Sequence, residues 1–129
     1  MRNMCPNFNY QQQVAIYKVA EMMVGADGKV MVEEKMTLED GFKKLGLSSA
    51  SNLSELRKEA SEQEYNSSLQ ILSELESVQK KFVTSFLGTI ISSDGDIDDT
   101  ELELWRELSK QCGFPIMSNR QAIEIFKEY

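Results

Sequence analysis

Apolar residues recur at three- and four-residue intervals along most of this chain, a spacing typical of amphipathic α-helices and not of β-strands. Proline occurs only at positions 6 and 115, so little in the sequence interrupts a helix between them. The pattern predicts helices over 8–24 and 32–45, two more between 48 and 77, then helices over 78–91 and 98–112, and a last one that Ser118 or Asn119 caps. At 129 residues, these helices are expected to form one domain, so the predicted fold class is an all-α bundle over residues 1–129.

The helix predicted over 78–91 carries large apolar side chains on most of its circumference, which predicts a central position in the bundle. Each neighbouring helix has a single apolar face. The residues expected on these faces are Tyr10, Val14, Tyr17 and Val24 in the first helix, Met36, Leu38, Phe42 and Leu45 in the second, and Leu102, Trp105, Leu108 and Cys112 in the sixth. Trp105 is therefore expected to be a core residue that packs against the central helix.

The sequence contains an internal repeat with an offset of 67 residues, over about 10–47 and 77–114. The offset aligns the Asp-Gly turn at Asp27 with the one at Asp94, Glu34 with Glu101, and Gly46 with Gly113. Each half is predicted to be a helix, an Asp-Gly turn and a second helix that a glycine ends. The two pseudo-symmetric hairpins each have an apolar face to cover, so they are expected to share one core.

Composition and charge exclude several classes of function. With 14 basic and 21 acidic side chains, the net charge is −7, and no basic cluster is present that could neutralise a nucleic-acid backbone. No apolar run is long enough for a membrane span, and the first residues lack a secretory signal, so the expected location is the cytoplasm. The two cysteines are expected to be reduced. Histidine is absent, which removes Ser-His-Asp and Cys-His catalysis.

The acidic residues concentrate between positions 94 and 107, where seven acids and one base give a net charge of −6. Converging carboxylates bind hard cations such as Ca²⁺, so Asp94, Asp96, Asp98 and Glu101 are candidate ligands. Alignment of Gly95 with the EF-hand turn glycine leaves that motif's first and third ligand positions without an aspartate, which argues against an EF-hand.

Capping is the stronger interpretation of the acidic loop. Asp98 followed by Glu101 forms a capping box, and acids in a first helical turn are favoured by the helix dipole. Ser51 or Asn52 is the expected cap of the third helix. In the first half Met31 stands where Asp98 caps the second, so Met31 is expected to be exposed. Lys29 also replaces Asp96 there, so a cation site should be weaker in the first half.

Two segments, each followed by a glutamate, carry a resemblance to a known family: Ala26-Asp27-Gly28-Lys29-Val30 and Ser93-Asp94-Gly95-Asp96-Ile97. With these segments, the chain resembles the TerB-like family over about residues 10–126. The family includes tellurite-resistance proteins and the N-terminal domain of a DnaJ-type co-chaperone. The resemblance implies a bundle of about seven helices with two pseudo-symmetric halves. It also implies a role in stress or metal resistance, with divalent cations near the acidic loops of some members. The positions that match are Asp27, Glu34, Asp94 and Glu101.

The function expected from these observations is that of a non-enzymatic module that binds another protein and holds a divalent cation weakly, in roughly the millimolar range. No cofactor is expected. Two alternatives stay open at this point: a metal-dependent hydrolase that uses the acidic loop, and a purely structural subunit whose acidic loop only keeps it in solution.

Overall fold

The computed structural model describes residues 4–25, 28, 31–47, 50–93, 95 and 97–129, without the side chains of residues 50 and 51. These residues form seven α-helices and no strand, which confirms the all-α prediction. The helices are α1 (Tyr10–Met23), α2 (Val32–Lys44), α3 (Ala50–Glu62), α4 (Tyr65–Ser73), α5 (Ser77–Ser92), α6 (Asp99–Cys112) and α7 (Asn119–Lys127). None of the described helices is long and apolar enough to cross a membrane.

Helix α5 is the centre of the bundle, as the sequence predicts. It contacts α1, α2, α6 and α7, and its residues 82–88 are all buried. Helix α1 packs against α3 and α4 on the other side of the core, and α4 also contacts α6. Because four helices cover α5, its apolar side chains between Phe82 and Ile91 are buried, which explains the all-round hydrophobic pattern.

Aromatic side chains join α5 to its neighbours. The Phe86 ring stacks on Phe126 of α7 with centroids 5.5 Å apart, and it meets the Phe42 ring of α2 edge-on at 5.8 Å. Phe82, one turn earlier, lies 5.9 Å from Phe86 and 6.1 Å from Phe126. Such offset and edge-on pairs stabilise a core beyond the burial of their area.

Two glycines allow α2, α6 and α7 to approach α5 closely. A Cβ atom at Gly41 would lie 2.2 Å from the Phe86 ring, and one at Gly88 would lie 2.6 Å from the Trp105 ring and 2.7 Å from Ala122. The Trp105 indole N–H donates a hydrogen bond to the backbone carbonyl of Thr84 at 3.1 Å. Trp105 is therefore a core residue packed against α5, as predicted.

Three apolar residues expected in the core are exposed instead: Tyr10, Met36 and Val78. Tyr10 and Val78 lie in the first turns of α1 and α5, at the edge of the bundle. Met36 is exposed because the buried side of α2 runs through Glu34, Leu38 and Phe42, at intervals of four residues. The prediction failed there because it treated Glu34 as a surface residue.

The predicted helix ends are confirmed at most positions. Gly46 and Gly113 follow α2 and α6 with positive φ angles of 85° and 68°, the conformation that closes many helices. Ser118 caps α7, with its hydroxyl accepting a hydrogen bond from the Gln121 N–H at 3.2 Å. The cap predicted for α3 is wrong: the helix begins at Ala50, so Ser51 and Asn52 lie inside its first turn. A serine-rich stretch offers several equivalent caps, and sequence alone does not rank them.

The aromatic cluster gives a stability prediction. Phe86→Ala should lower the free energy of unfolding by about 3–5 kcal/mol, because it removes a fully buried ring that contacts three other rings. Urea denaturation followed by circular dichroism measures this loss. The matched control is Ile116→Ala, at a fully exposed site, which should change stability by less than about 0.5 kcal/mol. Equal losses in the two variants would contradict a central position for α5.

Candidate cation site at the two helix starts

The two halves of the repeat form the same turn before their second helices. Gly28 and Gly95 are equivalent in the repeat, and their φ angles are 85° and 81°. The Gly28 N–H donates to the Gly25 carbonyl at 2.9 Å, and the Gly95 N–H donates to the Ser92 carbonyl at 3.1 Å. Positive φ is readily accessible to glycine, so Gly28 and Gly95 have the conformation that the predicted turns require.

Three of the six predicted ligands lie outside the described residues: Asp27, Asp94 and Asp96. The structure places the other three at the starts of α2 and α6. Asp98 is the residue before α6, and Glu101 and Glu34 occupy equivalent positions in the first turns of α6 and α2. Among the described residues, no group of three acidic, cysteine or histidine side chains converges as a metal site. A complete cation site would therefore need oxygens from the Asp-Gly turns.

Asp98 acts as the N-cap of α6. Its carboxylate accepts hydrogen bonds from the backbone N–H groups of Thr100 at 2.8 Å and Glu101 at 3.4 Å. These N–H groups have no partner within the helix, and a negative charge beside them also stabilises the helix dipole. The capping interpretation of Asp98 is thus confirmed.

The equivalent residue of the first half, Met31, has no side-chain acceptor to offer. Its backbone has nearly the same conformation as that of Asp98, with φ and ψ of −93° and 145° against −78° and 137°. Its side chain is 37% exposed, as expected. The first-half helix therefore begins with the same geometry but without the side-chain cap.

Glu34 is buried with only 2% of its surface exposed, and the equivalent Glu101 is buried to the same extent. Glu34 Oε1 accepts a hydrogen bond from the Met31 N–H at 3.3 Å. Its other carboxylate oxygen, Oε2, is buried, and no donor of the described residues reaches it. Burial of a carboxylate oxygen without a partner is costly, so this oxygen requires a physical explanation.

The burial of the two glutamates was not predicted from the sequence. Two signals were available in the sequence. Glu34, Leu38 and Phe42 follow one another at four-residue intervals on one face of α2, and Glu34 and Glu101 occupy equivalent positions in the repeat. By contrast, Asp99, Glu103 and Glu107 of the same acidic run are exposed, as expected for a solvated helix surface.

The two cysteines, the strongest nucleophiles in the sequence, are not activated. Burial raises the pKa of the Cys5 thiol to about 11, although the positive charge of Lys44 opposes this. Burial also raises the pKa of Cys112, with Lys80 opposing it. Both side chains are therefore thiols at neutral pH, and a thiol is a poor nucleophile compared with a thiolate. Cys112 is a core residue, as predicted.

Comparison with known proteins gives a relative but no function. No protein-family model and no curated protein sequence matches the chain. The chain is similar to a protein of unknown function, PG1108 of Porphyromonas gingivalis W83, whose crystal structure is known. The two sequences are 35% identical, the match covers 96% of this chain and 99% of the other, and the TM-score is 0.84. The resemblance to the TerB-like family stays a prediction.

The difference between the two caps can be measured. Asp98→Ala should lower the free energy of unfolding by about 0.5–2 kcal/mol, because it leaves two helix N–H groups without their acceptor. Met31→Asp should raise it by about 0.5–1 kcal/mol, because it supplies an acceptor where the backbone is already in position. Urea denaturation in the presence of a chelator tests both variants. A stabilising Asp98→Ala, or a destabilising Met31→Asp, would contradict the assignment.

The raised pKa of Cys5 predicts its reactivity. In a Cys112→Ala variant, alkylation of Cys5 by iodoacetamide should be slow at neutral pH, because a pKa about two units above the usual value lowers the thiolate fraction about 100-fold. The rate should still be rising at pH 10, whereas in urea it should level off near pH 9. A native rate that levels off below pH 9 would contradict the shift.

Proposed function

We propose a function from the chain's own residues, because the chain belongs to the same family as the Porphyromonas gingivalis protein and the function of that protein is unknown. The proposed function is that of a non-enzymatic interaction module. The module binds a divalent cation weakly where its Asp-Gly turns lead into α2 and α6. The single observation that carries the cation site is the buried Oε2 atom of Glu34. A hard cation such as Ca²⁺ would satisfy this atom, because carboxylate and backbone carbonyl oxygens are its usual ligands.

The geometry of the first turn supports this proposal. Glu34 is held by its bond from the Met31 N–H, so its second oxygen has a defined position. Gly28, which has a positive φ, precedes Glu34 by six residues, and Asp27 precedes Gly28 in the sequence. Two carboxylates, the carbonyls of a tight turn and water would give Ca²⁺ the oxygen ligands that it takes in proteins.

The two halves should differ in affinity. The first turn contains one acid, Asp27, and the base Lys29, whereas the second contains Asp94 and Asp96. Negative charge in a ligand set raises the affinity for a cation, and a lysine opposes it. We therefore place the stronger site in the second half, with Glu101 in the position equivalent to Glu34.

The lack of an activated nucleophile among the described residues supports a binding role over catalysis. Both cysteines are protonated at neutral pH, and the chain has no histidine. The free state of both thiols also supports the expected location in a reducing compartment, the cytoplasm. A metal-dependent hydrolase remains the competing proposal, since a bound cation could activate water.

A thermal melt with Ca²⁺ tests the cation site. With a dissociation constant of about 1 mM, 10 mM Ca²⁺ should raise the free energy of unfolding by about 1.4 kcal/mol, because the ion binds only the folded state. Glu34→Gln should reduce this gain, and Glu101→Gln should reduce it further. The matched control is Glu33→Gln, which removes the same charge from the exposed neighbour of Glu34 and should keep the full response.

Three results would count against the proposal. A Ca²⁺ response that Glu34→Gln and Glu101→Gln leave unchanged would place the cation elsewhere. No response to Ca²⁺ or Mg²⁺ up to 10 mM would favour the purely structural subunit. Hydrolysis of phosphate or carboxylate esters that depends on added Mg²⁺ or Mn²⁺, and is lost in Glu101→Gln, would favour the hydrolase.

A further inference from the structure

A groove surrounds the segment between α6 and α7. It consists of two adjoining cavities of about 760 and 490 Å³. Both cavities are lined by Gly113, Pro115, Ile116, Met117 and Gln121, so we treat them as two lobes of one surface, the 113–117 groove. Ligand pockets commonly have volumes of about 300–1,000 Å³, so each lobe is large enough to accept apolar side chains.

The groove presents apolar surface to solvent. Trp105 and Phe114 line the first lobe and Ile125 lines the second. Ile116, which borders both lobes, is 100% exposed, more than any other large apolar residue described. Trp105 and Phe114 are only 3% and 6% exposed, so most of the exposed apolar surface comes from the 113–117 segment itself. A single exposed apolar residue is ordinary, but one that borders two pockets with apolar linings is typical of an interaction site.

The charged residues of the groove are all basic. Arg106 and Lys110 line the first lobe, Lys80 and Lys81 line the second, and no aspartate or glutamate lines either. Lys80 also stabilises the fold, because its positive charge lies beside the C-terminal end of α6, the negative end of the helix dipole. Its Nζ atom would be 3.3 Å from a Cβ atom at Gly113, the residue that follows α6. In a chain of net charge −7, four basic side chains around one apolar surface form a local region of opposite sign.

The walls of the groove are held in place by the two helices that they join. At the end of α6, the Phe114 N–H donates to the Ser109 carbonyl at 2.8 Å. At the start of α7, the Ser118 N–H donates to the Gln121 side chain at 2.9 Å, and Ser118 caps the helix in return. Since the segment is fixed at both ends, a ligand would lose little free energy in ordering it.

We propose that the 113–117 groove binds a peptide segment of another protein in which apolar side chains are flanked by aspartate or glutamate. The apolar side chains would enter the two lobes on either side of Ile116, and the acids would pair with Arg106, Lys110 and Lys81. Charge complementarity selects an acidic partner, and two lobes on either side of one segment suit a peptide with more than one apolar side chain. The inference rests on the proposed role as an interaction module but not on the cation site.

Selection from a phage-displayed library of random 12-residue peptides, on the whole chain and in the presence of a chelator, tests this proposal. The enriched peptides should carry at least two large apolar residues together with Asp or Glu. Fluorescence anisotropy of a labelled, enriched peptide should give a dissociation constant that rises at least about tenfold in Ile116→Asp, because the new charge occupies the centre of the apolar surface. Lys110→Glu and Lys81→Glu should each weaken binding several-fold, with a smaller effect at high salt.

Two matched variants control for general effects of charge. Met36→Asp introduces the same charge at another exposed apolar residue, and Lys58→Glu reverses a charge on the exposed side of α3. Neither residue lines the groove, so both variants should bind the peptide as the unaltered chain does. Circular dichroism of every variant establishes that it is folded.

Four outcomes would overturn the assignment of an acidic peptide to the groove. Peptides whose binding is unchanged in Ile116→Asp would bind elsewhere and leave only the general interaction role. Enrichment of basic peptides, or of none, would remove the acidic-peptide ligand. If dodecanoate binds in the groove and no peptide does, the occupant is a fatty acid. If the chain self-associates and Ile116→Asp abolishes this, the occupant is a second copy. Loss of the Ca²⁺ response would count only against the cation site.

Discussion

The structure depends on the burial of α5 on all sides. Phe86 contacts rings from α2, α5 and α7, and Trp105 of α6 bonds to the α5 backbone, so one helix joins both halves of the repeat to the last helix. Neither hairpin could cover this helix alone. Because its apolar groups point in every direction, the rest of the chain has to surround it, and burial of that surface stabilises the whole arrangement.

Close approach is the second constraint on this arrangement. Helices with ordinary side chains pack about 8–10 Å apart, and bulky rings such as Phe86 and Trp105 would push them further apart. Glycine on the facing helix leaves room for the ring: Gly41 faces Phe86, and Gly88 faces Trp105. Glycine in a helix costs conformational entropy, so its position here is explained by packing and not by helix propensity.

The same packing accounts for the candidate sites. Helix α2 turns the face that bears Glu34 inward because Leu38 and Phe42 lie on that face, so a carboxylate is carried into the protein beside the Asp-Gly turn. At the other end of α6, the chain must turn to bring α7 against α5, and this turn leaves Ile116 exposed between two cavities. At both sites, the packing of the core leaves a group in an unfavourable environment: a buried carboxylate oxygen at Glu34 and an apolar side chain in water at Ile116.

The helices and their ends could be predicted from the sequence because they depend on local chemistry. Periodic apolar residues, an aspartate before α6 and glycines after α2 and α6 act within a few residues of their own position, and the structure has them as predicted. The internal repeat could also be recognised in the sequence, since turns of the same conformation require similar residues at equivalent positions.

Only the tertiary structure decided which side of each helix faces inward when a charged residue shares the apolar face. It also decided which residues, distant in the sequence, come together as a groove. Met36 is exposed and Glu34 is buried, the reverse of what the pattern predicts. Lys80 and Lys81 line the same groove as Arg106 and Lys110, which lie 25 or more residues away in the sequence. These outcomes depend on how several helices pack at once, and the pattern of any one segment does not contain that information.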